Sequence, residues 1–380
     1  MEVNIQQKIF YSELQLIQGI IEKRSTTPIL GHVLLGAKDN MLKLIATDLD
    51  IWFETKLPCL MVKEGTLLVP AKKLFEVVRL LPDMEITLAE TENTRLHLQC
   101  GLSEFNLAGL KAEDFPTLPE LDLETGFFVP QNELFELIKN VIIAMHEEEG
   151  RFFIRGALLK VDNGDNLTMV ATDGYRLAYY KKSIEVKTKE SKKKKLDVVV
   201  PKKALNELLR VLNPKSSDNV LFDMVGNYVY FYIEQRLLIA RLLEETFPNY
   251  SETIELDLDK KMILPKEAFI NAVRRVSIMA NERLRSIELK FTENQLELIG
   301  RSADLGDATE RISCQYSGEL FRVGFNADYL LDFLSIADSE EISAEFRTVN
   351  KRAIFRQFKE SPHEYRYVVM PINVAEDELS

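Results

Sequence analysis

The strongest constraint on this chain is that it repeats itself. Five segments share one design, a Pro or Asn followed by apolar residues at i, i+3, i+4 and i+7, the spacing that paints one face of a helix. They are Leu74/Val77/Val78/Leu81, Leu134/Leu137/Ile138/Val141, Leu205/Leu208/Leu209/Leu212, Phe269/Ala272/Val273/Val276 and Leu330/Phe333/Leu334/Ala337. A poorer sixth copy, in a helix expected from Tyr11 to Arg24, uses Leu14, Ile17 and Ile21, with Gln18 breaking the stripe. First apolar positions fall at residues 14, 74, 134, 205, 269 and 330, so a unit of about sixty residues occurs six times. The one long interval, 134 to 205, contains the lysine-rich stretch Lys187 to Lys195, which reads as a loop insertion.

Four of these helices are entered through a strand end and a proline, in LLVPAKK, FFVPQNE, VVVPKKA and MILPKEA. Proline suits a first helical turn, where its missing N–H has no intrahelical partner anyway. The text between helices alternates apolar and polar residues and is bounded by Asn, Asp and Gly, as antiparallel strands and hairpins are. Each unit is therefore a helix plus several strands, and the fold class is α+β. A second period lies above the first: ATDLDIWFE begins at Ala46, ATDGYRLAY at Ala171 and SADLGDATE at Ser302. Acidic stretches ELDLE (Glu120 to Glu124) and ELDLD (Glu255 to Asp259) precede FFVP and MILP by the same interval and read as linkers. The expectation is three similar domains, residues 1–122, 127–250 and 257–380, each built from two units.

Catalytic chemistry finds little support. Asp48, Asp173 and Asp304 recur in equivalent motifs, but equivalent points in three consecutive domains should lie roughly 30 Å or more apart. Acid/base partners must sit within about 10 Å, so an Asp that ties down a turn through its own backbone is expected instead. His32, His97, His146 and His363 are scattered, and no HExxH, GxxxxGK[ST], GxGxxG or GxSxG occurs. No metal or other cofactor is implied. Cys59, Cys100 and Cys314 lie far apart, with neither CxxC spacing nor an even disulfide framework, which suits a reducing cytoplasm. No apolar run approaches the ~20 residues of a membrane span, and MEVNIQQKIFYSEL lacks the basic and apolar regions of a secretory signal.

Charge is unevenly distributed. The chain carries −12 overall, which taken uniformly argues against nucleic acid. Yet PAKKLFEVVRLLP places Lys72, Lys73 and Arg79 away from its apolar face, PKKALNELLRVL repeats this with Lys202, Lys203 and Arg210, and PKEAFINAVRRV adds Lys266, Arg274 and Arg275. The six helical segments together carry +3, leaving −15 for everything else. Lys192 to Lys195 fits a nucleic-acid contact and a solvated loop equally well. Arg151, Phe152 and Phe153 put a cation beside two aromatics, and Phe153 fits a core position as well.

TTPILGHVLL, VATDGYRLA, FPNY and the near-terminal YVVMPI together resemble the bacterial sliding clamp family, the β subunit of DNA polymerase III, and the resemblance runs along nearly the whole chain. It implies a non-catalytic processivity subunit. Two copies of the three-domain chain would join head to tail in a six-domain ring, with helices lining the hole and sheets outside. Size arithmetic agrees: three domains ~34 Å across close on a hole of about 5 Å, while six leave roughly 34 Å, enough for a hydrated duplex ~20 Å wide. The resemblance implies sequence-independent proximity to double-stranded DNA for Arg24, Lys72, Lys73, Arg79, Arg151, Phe152, Phe153, Lys202, Lys203 and Arg210.

It also implies a pocket for short motifs of the polymerase alpha subunit, the clamp loader delta subunit and other clamp-motif proteins, formed by Ile154, Thr172, Gly174, Tyr175, Arg176, Leu177, Pro248, Val368, Val369, Met370, Pro371 and Ile372. A homodimer interface is implied between Phe105 and Leu107 on one side and Ile278 and Met279 on the other, in a cytoplasmic, nucleoid-associated setting. Three departures stand out: Tyr175 where many relatives have His, Glu252 and Thr253 after FPNY, and the tail Asn373 to Ser380.

Overall fold

The fold is that of a computed structural model in which residues 1–21, 27–121, 126–145, 155–162, 166–183, 187–188, 195–255, 258–359 and 363–372 are described. The expected helices are present as α1 (Gln7–Ile17), α2 (Ala71–Leu80), α3 (Gln131–Val141), α4 (Lys202–Val211), α6 (Lys266–Val276) and α7 (Ala327–Ile336), with the single turn α5 (Ser251–Ile254) in addition. Their buried positions follow the expected stripes, for example Leu205 and Leu208 of α4 and Leu330, Phe333 and Leu334 of α7. Val77 of α2 and Leu209 of α4 are exceptions, each being only half-buried.

The N-terminal helix differs from the expectation. It begins at Gln7, four residues before Tyr11, and ends at Ile17; Arg24 lies outside the described residues. Its buried face is Gln7, Phe10, Glu13, Leu14 and Ile17. Two polar residues occupy that face because each has a partner. Gln7 Nε2 donates to Val78 O at 2.7 Å, and the Glu13 carboxylate accepts from Arg236 Nη2 at 2.6 Å and Thr55 Oγ1 at 2.9 Å. An apolar count cannot see a polar residue that is paid for in this way.

The chain divides into two compact units, residues 1–135 with 186–196 and 203–243, and residues 136–185 with 197–202 and 244–380. In the first, a five-stranded sheet runs Leu60–Lys63, Glu2–Gln6, Glu85–Thr91, Arg95–Cys100, Ser103–Ala108. Its nine-stranded sheet contains Asn219–Val225, Tyr228–Ile233 and Arg236–Arg241, followed by Ile51–Pro58, Met41–Thr47, His32–Lys38 and Gly65–Pro70. Arg236–Arg241 pairs antiparallel with Ile51–Pro58, Leu238 opposite Phe53. In the second unit an eight-stranded sheet joins Arg176–Ser183 to His363–Val369 in the same way, Tyr180 opposite Tyr365. A four-stranded sheet runs Gly306–Ser313, Gln295–Ser302, Ser286–Thr292, Phe321–Asn326.

The repeat is visible in hydrogen bonds as well. The first residue of α1, α4 and α6 reaches the end of another helical segment: Gln7 Nε2 to Val78 O, Lys202 Nζ to Met145 O at 2.9 Å, Lys266 Nζ to Ala337 O at 2.8 Å. Carbonyls at a helix end have no intrahelical donor, and a cation there also suits the helix dipole. Among the described residues no helix is long and apolar enough to cross a membrane.

Candidate functional site

The recurring Asp motif builds a tight turn. Asp173 Oδ1 accepts from Tyr175 N at 3.0 Å and Arg176 N at 2.9 Å, while Thr172 Oγ1 donates to Arg176 O at 2.7 Å. Asp48 and Thr47 make the equivalent bonds to Asp50 N, Ile51 N and Ile51 O. One oxygen of each carboxylate is held by its own backbone, as expected of a turn-forming Asp, and the other faces a cation, Arg176 at Asp173 and Lys203 at Asp48. The third residue of both turns has positive φ, +86° at Gly174 and +78° at Leu49, so glycine relieves a strain in one copy that leucine bears in the other.

Within the second unit, the Gly174 turn forms one wall of a depression of about 320 Å³. Thr172, Gly174, Tyr175, Arg176, Leu177, Pro248, Val368 and Met370 of the expected pocket residues line it together. Val369, the last residue of the strand His363–Val369, is fully buried, and Ile372 pairs with Gly324; neither these two nor Pro371 is among the lining residues. Ile154 lies outside the described residues. The turn is tied to the end of that strand by Met370 N donating to Tyr175 O at 2.8 Å.

Arg176 is locked in place. Its Nε donates to Asp173 Oδ2 at 2.9 Å, its Nη1 donates to Asp332 of α7 and to Tyr367 Oη at 3.2 Å, and its guanidinium lies 4.3 Å over the Tyr329 ring. Burial works against its charge, but the Tyr367 phenol and the Asp332 and Asp173 carboxylates outweigh burial and hold its pKa above the ordinary arginine value. The same burial pushes the Tyr329 phenol up. The cavity thus has a rigid, charge-compensated floor and an apolar wall of Leu177, Pro248, Val368 and Met370, the profile of a groove that takes large side chains.

Four lining residues were not expected: Asn249, Tyr250, Thr253 and Arg352. The first two belong to FPNY, a motif of which the resemblance implies the proline alone. Thr253 sits on α5, and Arg352 in a turn before the strand Ala353–Gln357, where no spacing rule singles it out.

The expected DNA-facing cations fall on exposed helix faces, but many have partners. Lys72, Lys73 and Arg79 are exposed on α2; Lys73 bonds Glu76 Oε2 at 2.7 Å and Arg79 lies 5.8 Å over Phe75. Lys203 pairs with Asp48, and Arg210 bonds Glu207 Oε2 at 2.8 Å and Gln15 O at 2.9 Å. Lys202 reaches Met145 O, as above. Arg24, Arg151, Phe152 and Phe153 lie outside the described residues. Phe105 and Leu107 lie on the edge strand Ser103–Ala108, and Ile278, 68% exposed, and Met279 on the 3-10 turn Ser277–Met279 after α6.

Comparison with known proteins follows the three repeats. Residues 1–119 match the family model of the DNA polymerase III beta subunit N-terminal domain, 128–249 that of the central domain and 254–373 that of the C-terminal domain. The beta sliding clamp of Caulobacter vibrioides is 32% identical over 379 residues, covering 98% of this chain and all of the relative. That of Pseudomonas aeruginosa is 29% identical over 375 residues, with the same coverage. Among solved structures, the Bartonella birtlesii sliding clamp bound to griselimycin superposes with a TM-score of 0.91 at 30% identity, and the P. aeruginosa DNA polymerase III subunit beta with 0.89 at 29%; each comparison covers 98% of this chain and all of the other.

Proposed function

The chain belongs to the DNA polymerase III beta subunit family, and we propose that it works as a sliding clamp, two copies closing into a ring around duplex DNA and tethering the replicative polymerase to it. The observation that carries the ring is the pairing of strands that follow the Asp motifs. After Asp48, Ile51–Pro58 pairs with Arg236–Arg241; after Asp173, Arg176–Ser183 pairs with His363–Val369. After Asp304, Gly306–Ser313 is an open sheet edge among the described strands, and so is Ser103–Ala108, the first repeat's counterpart of those two partners.

An open edge of six to eight residues is a template for another chain. By the rule the first two junctions obey, Gly306–Ser313 of one copy pairs with Ser103–Ala108 of the next, and two such contacts close a head-to-tail ring of the three domains 1–122, 127–250 and 257–380. Phe105 and Leu107 project from one of these strands. Met279 Cε lies 3.6 Å from where a Cβ at Gly306 would stand, which brings Ile278 and Met279 to the other.

In the ring the helices would face the hole. Exposed Lys72, Lys73, Arg79, Lys203 and Arg210, with Arg24, Lys202, Arg151, Phe152 and Phe153, would supply a mild phosphate attraction that fades with salt. Because most of the described cations are already paired, the attraction is weak enough for sliding, and the acidic remainder repels DNA from the outside. The cavity lined by Thr172, Gly174, Tyr175, Arg176, Leu177, Pro248, Val368 and Met370, together with Ile154, would take short apolar motifs of the polymerase alpha subunit, the clamp loader delta subunit and repair proteins. The setting is the bacterial cytoplasm at the nucleoid. Sedimentation of the purified chain tests the ring: a species of twice 43.7 kDa is expected, and a monomer at low micromolar concentration rejects it.

A further inference from the structure

Of the two cations that line the peptide cavity, one is spent and one is not. Arg176 is compensated by Asp173 and Asp332, as described. Arg352, half-exposed at the cavity wall, makes one long hydrogen bond from Nη1 to Glu252 O, 3.4 Å, and pairs with no carboxylate among the described residues. None of the described lining residues is acidic. The cavity therefore offers an apolar surface with a single uncompensated guanidinium beside it.

We infer that Arg352 is a specificity-determining residue that reads an acidic side chain, Asp or Glu, placed next to the apolar anchors of a partner peptide. This rests on the cavity being the partner-peptide site and says which partners fit it. Guanidinium and carboxylate form the stronger, charge-assisted class of hydrogen bond, often bidentate. The alternative duty of Arg352, closing the C-terminal end of α5 through the Glu252 carbonyl, uses one of its five N–H groups and is satisfied by a neutral donor just as well. The fork is free to turn toward a bound carboxylate without leaving a buried group unpaired. Neighbouring Thr253, on the same short helix, adds a hydroxyl to the same wall.

The test uses the full-length protein and fluorescein-labelled decapeptides carrying two leucine anchors, with a single Asp moved through the other positions and an Asn counterpart for each. With the wild type, at least one position should bind roughly 3–10-fold more tightly as Asp than as Asn at low salt, a preference that shrinks at 0.5 M NaCl. In Arg352→Gln, which keeps a donor for the Glu252 carbonyl, that preference should vanish while the Asn peptide binds as before. Arg352→Glu should invert it, favouring a Lys peptide over the Asp one. An Asp/Asn ratio unchanged in Arg352→Gln overturns the inference and leaves the cavity assignment standing. Failure of every peptide to bind the wild type overturns both.

Discussion

Asp173 and Asp332 both hold Arg176, yet they should differ sharply in what their loss costs. The Asp173 side chain is 2% exposed and that of Asp332 is 44% exposed. In Asp173→Asn the amide oxygen can still accept from Tyr175 N and Arg176 N, so the turn survives, but the new NH2 group faces the Nε donor of Arg176 at what was a 2.9 Å charge pair. Breaking one partner of a buried pair costs about 3–5 kcal/mol. Asp332→Asn removes a half-exposed partner while Asp173 and Tyr367 still hold the guanidinium, a loss of about 0.2–1 kcal/mol. For a unit of this size each kcal/mol moves Tm by about 2–4 °C, so Asp173→Asn should lower the transition by roughly 6–20 °C and Asp332→Asn by about 4 °C or less. Differential scanning calorimetry at one fixed protein concentration reads both, since dimer dissociation makes Tm concentration-dependent. Equal shifts, or an Asp173→Asn loss under about 1 kcal/mol, would refute the view that Asp173 and Arg176 form the buried brace of the cavity.

Other consequences follow from the same structure. Ile278→Ala with Met279→Ala should yield monomers by analytical ultracentrifugation: at about 1.5 kcal/mol for each truncated side chain and four in a ring, dimer dissociation rises roughly 10⁴-fold, and a persistent dimer at low micromolar concentration contradicts the interface. Arg236→Ala leaves the Glu13 carboxylate buried without its guanidinium, and urea denaturation should show a loss of about 3–5 kcal/mol that Arg236→Ala with Glu13→Gln largely recovers. Burial, helped by Glu364, pushes the Tyr179 phenol up to about 12. A folded pKa above the ordinary value of 10 means this contribution is intact below pH 10 and lost as pH rises toward 12, so stability should fall over that window and fall less in Tyr179→Phe.

Local pattern made much of this molecule legible. Helix stripes and the Asp motif are short-range signals, and the structure realises the stripes in α2, α3, α4, α6 and α7 and the motif in two of its three copies, the turns at Asp48 and Asp173; the entry prolines stand just before the helices, Pro70 and Pro265 at the N-cap, and not in the first turn. The start of α1 escapes the apolar pattern because its buried face includes Gln7 and Glu13, whose partners Val78 and Arg236 are 71 and 223 residues away. The sheet junctions between repeats were equally out of reach, since which strand edges meet is a property of the fold and not of any window of sequence. Charge counting found the cationic helix faces but not that Lys202 and Arg210 are engaged with carbonyls and a carboxylate. Most of the cavity was legible through VATDGYRLA, FPNY and VVMP, whereas Arg352 sits in a turn with no period or motif to mark it.

The central claim is topological: the protein stays on DNA because the ring is closed around it, and not because it binds tightly. The most direct measurement loads the clamp onto a nicked circular plasmid with its clamp loader, removes free protein by gel filtration, and follows retention before and after a single restriction cut. Retention on the circle with release within minutes of linearisation is the expected result. Protein that stays equally long on the cut DNA would contradict a sliding ring.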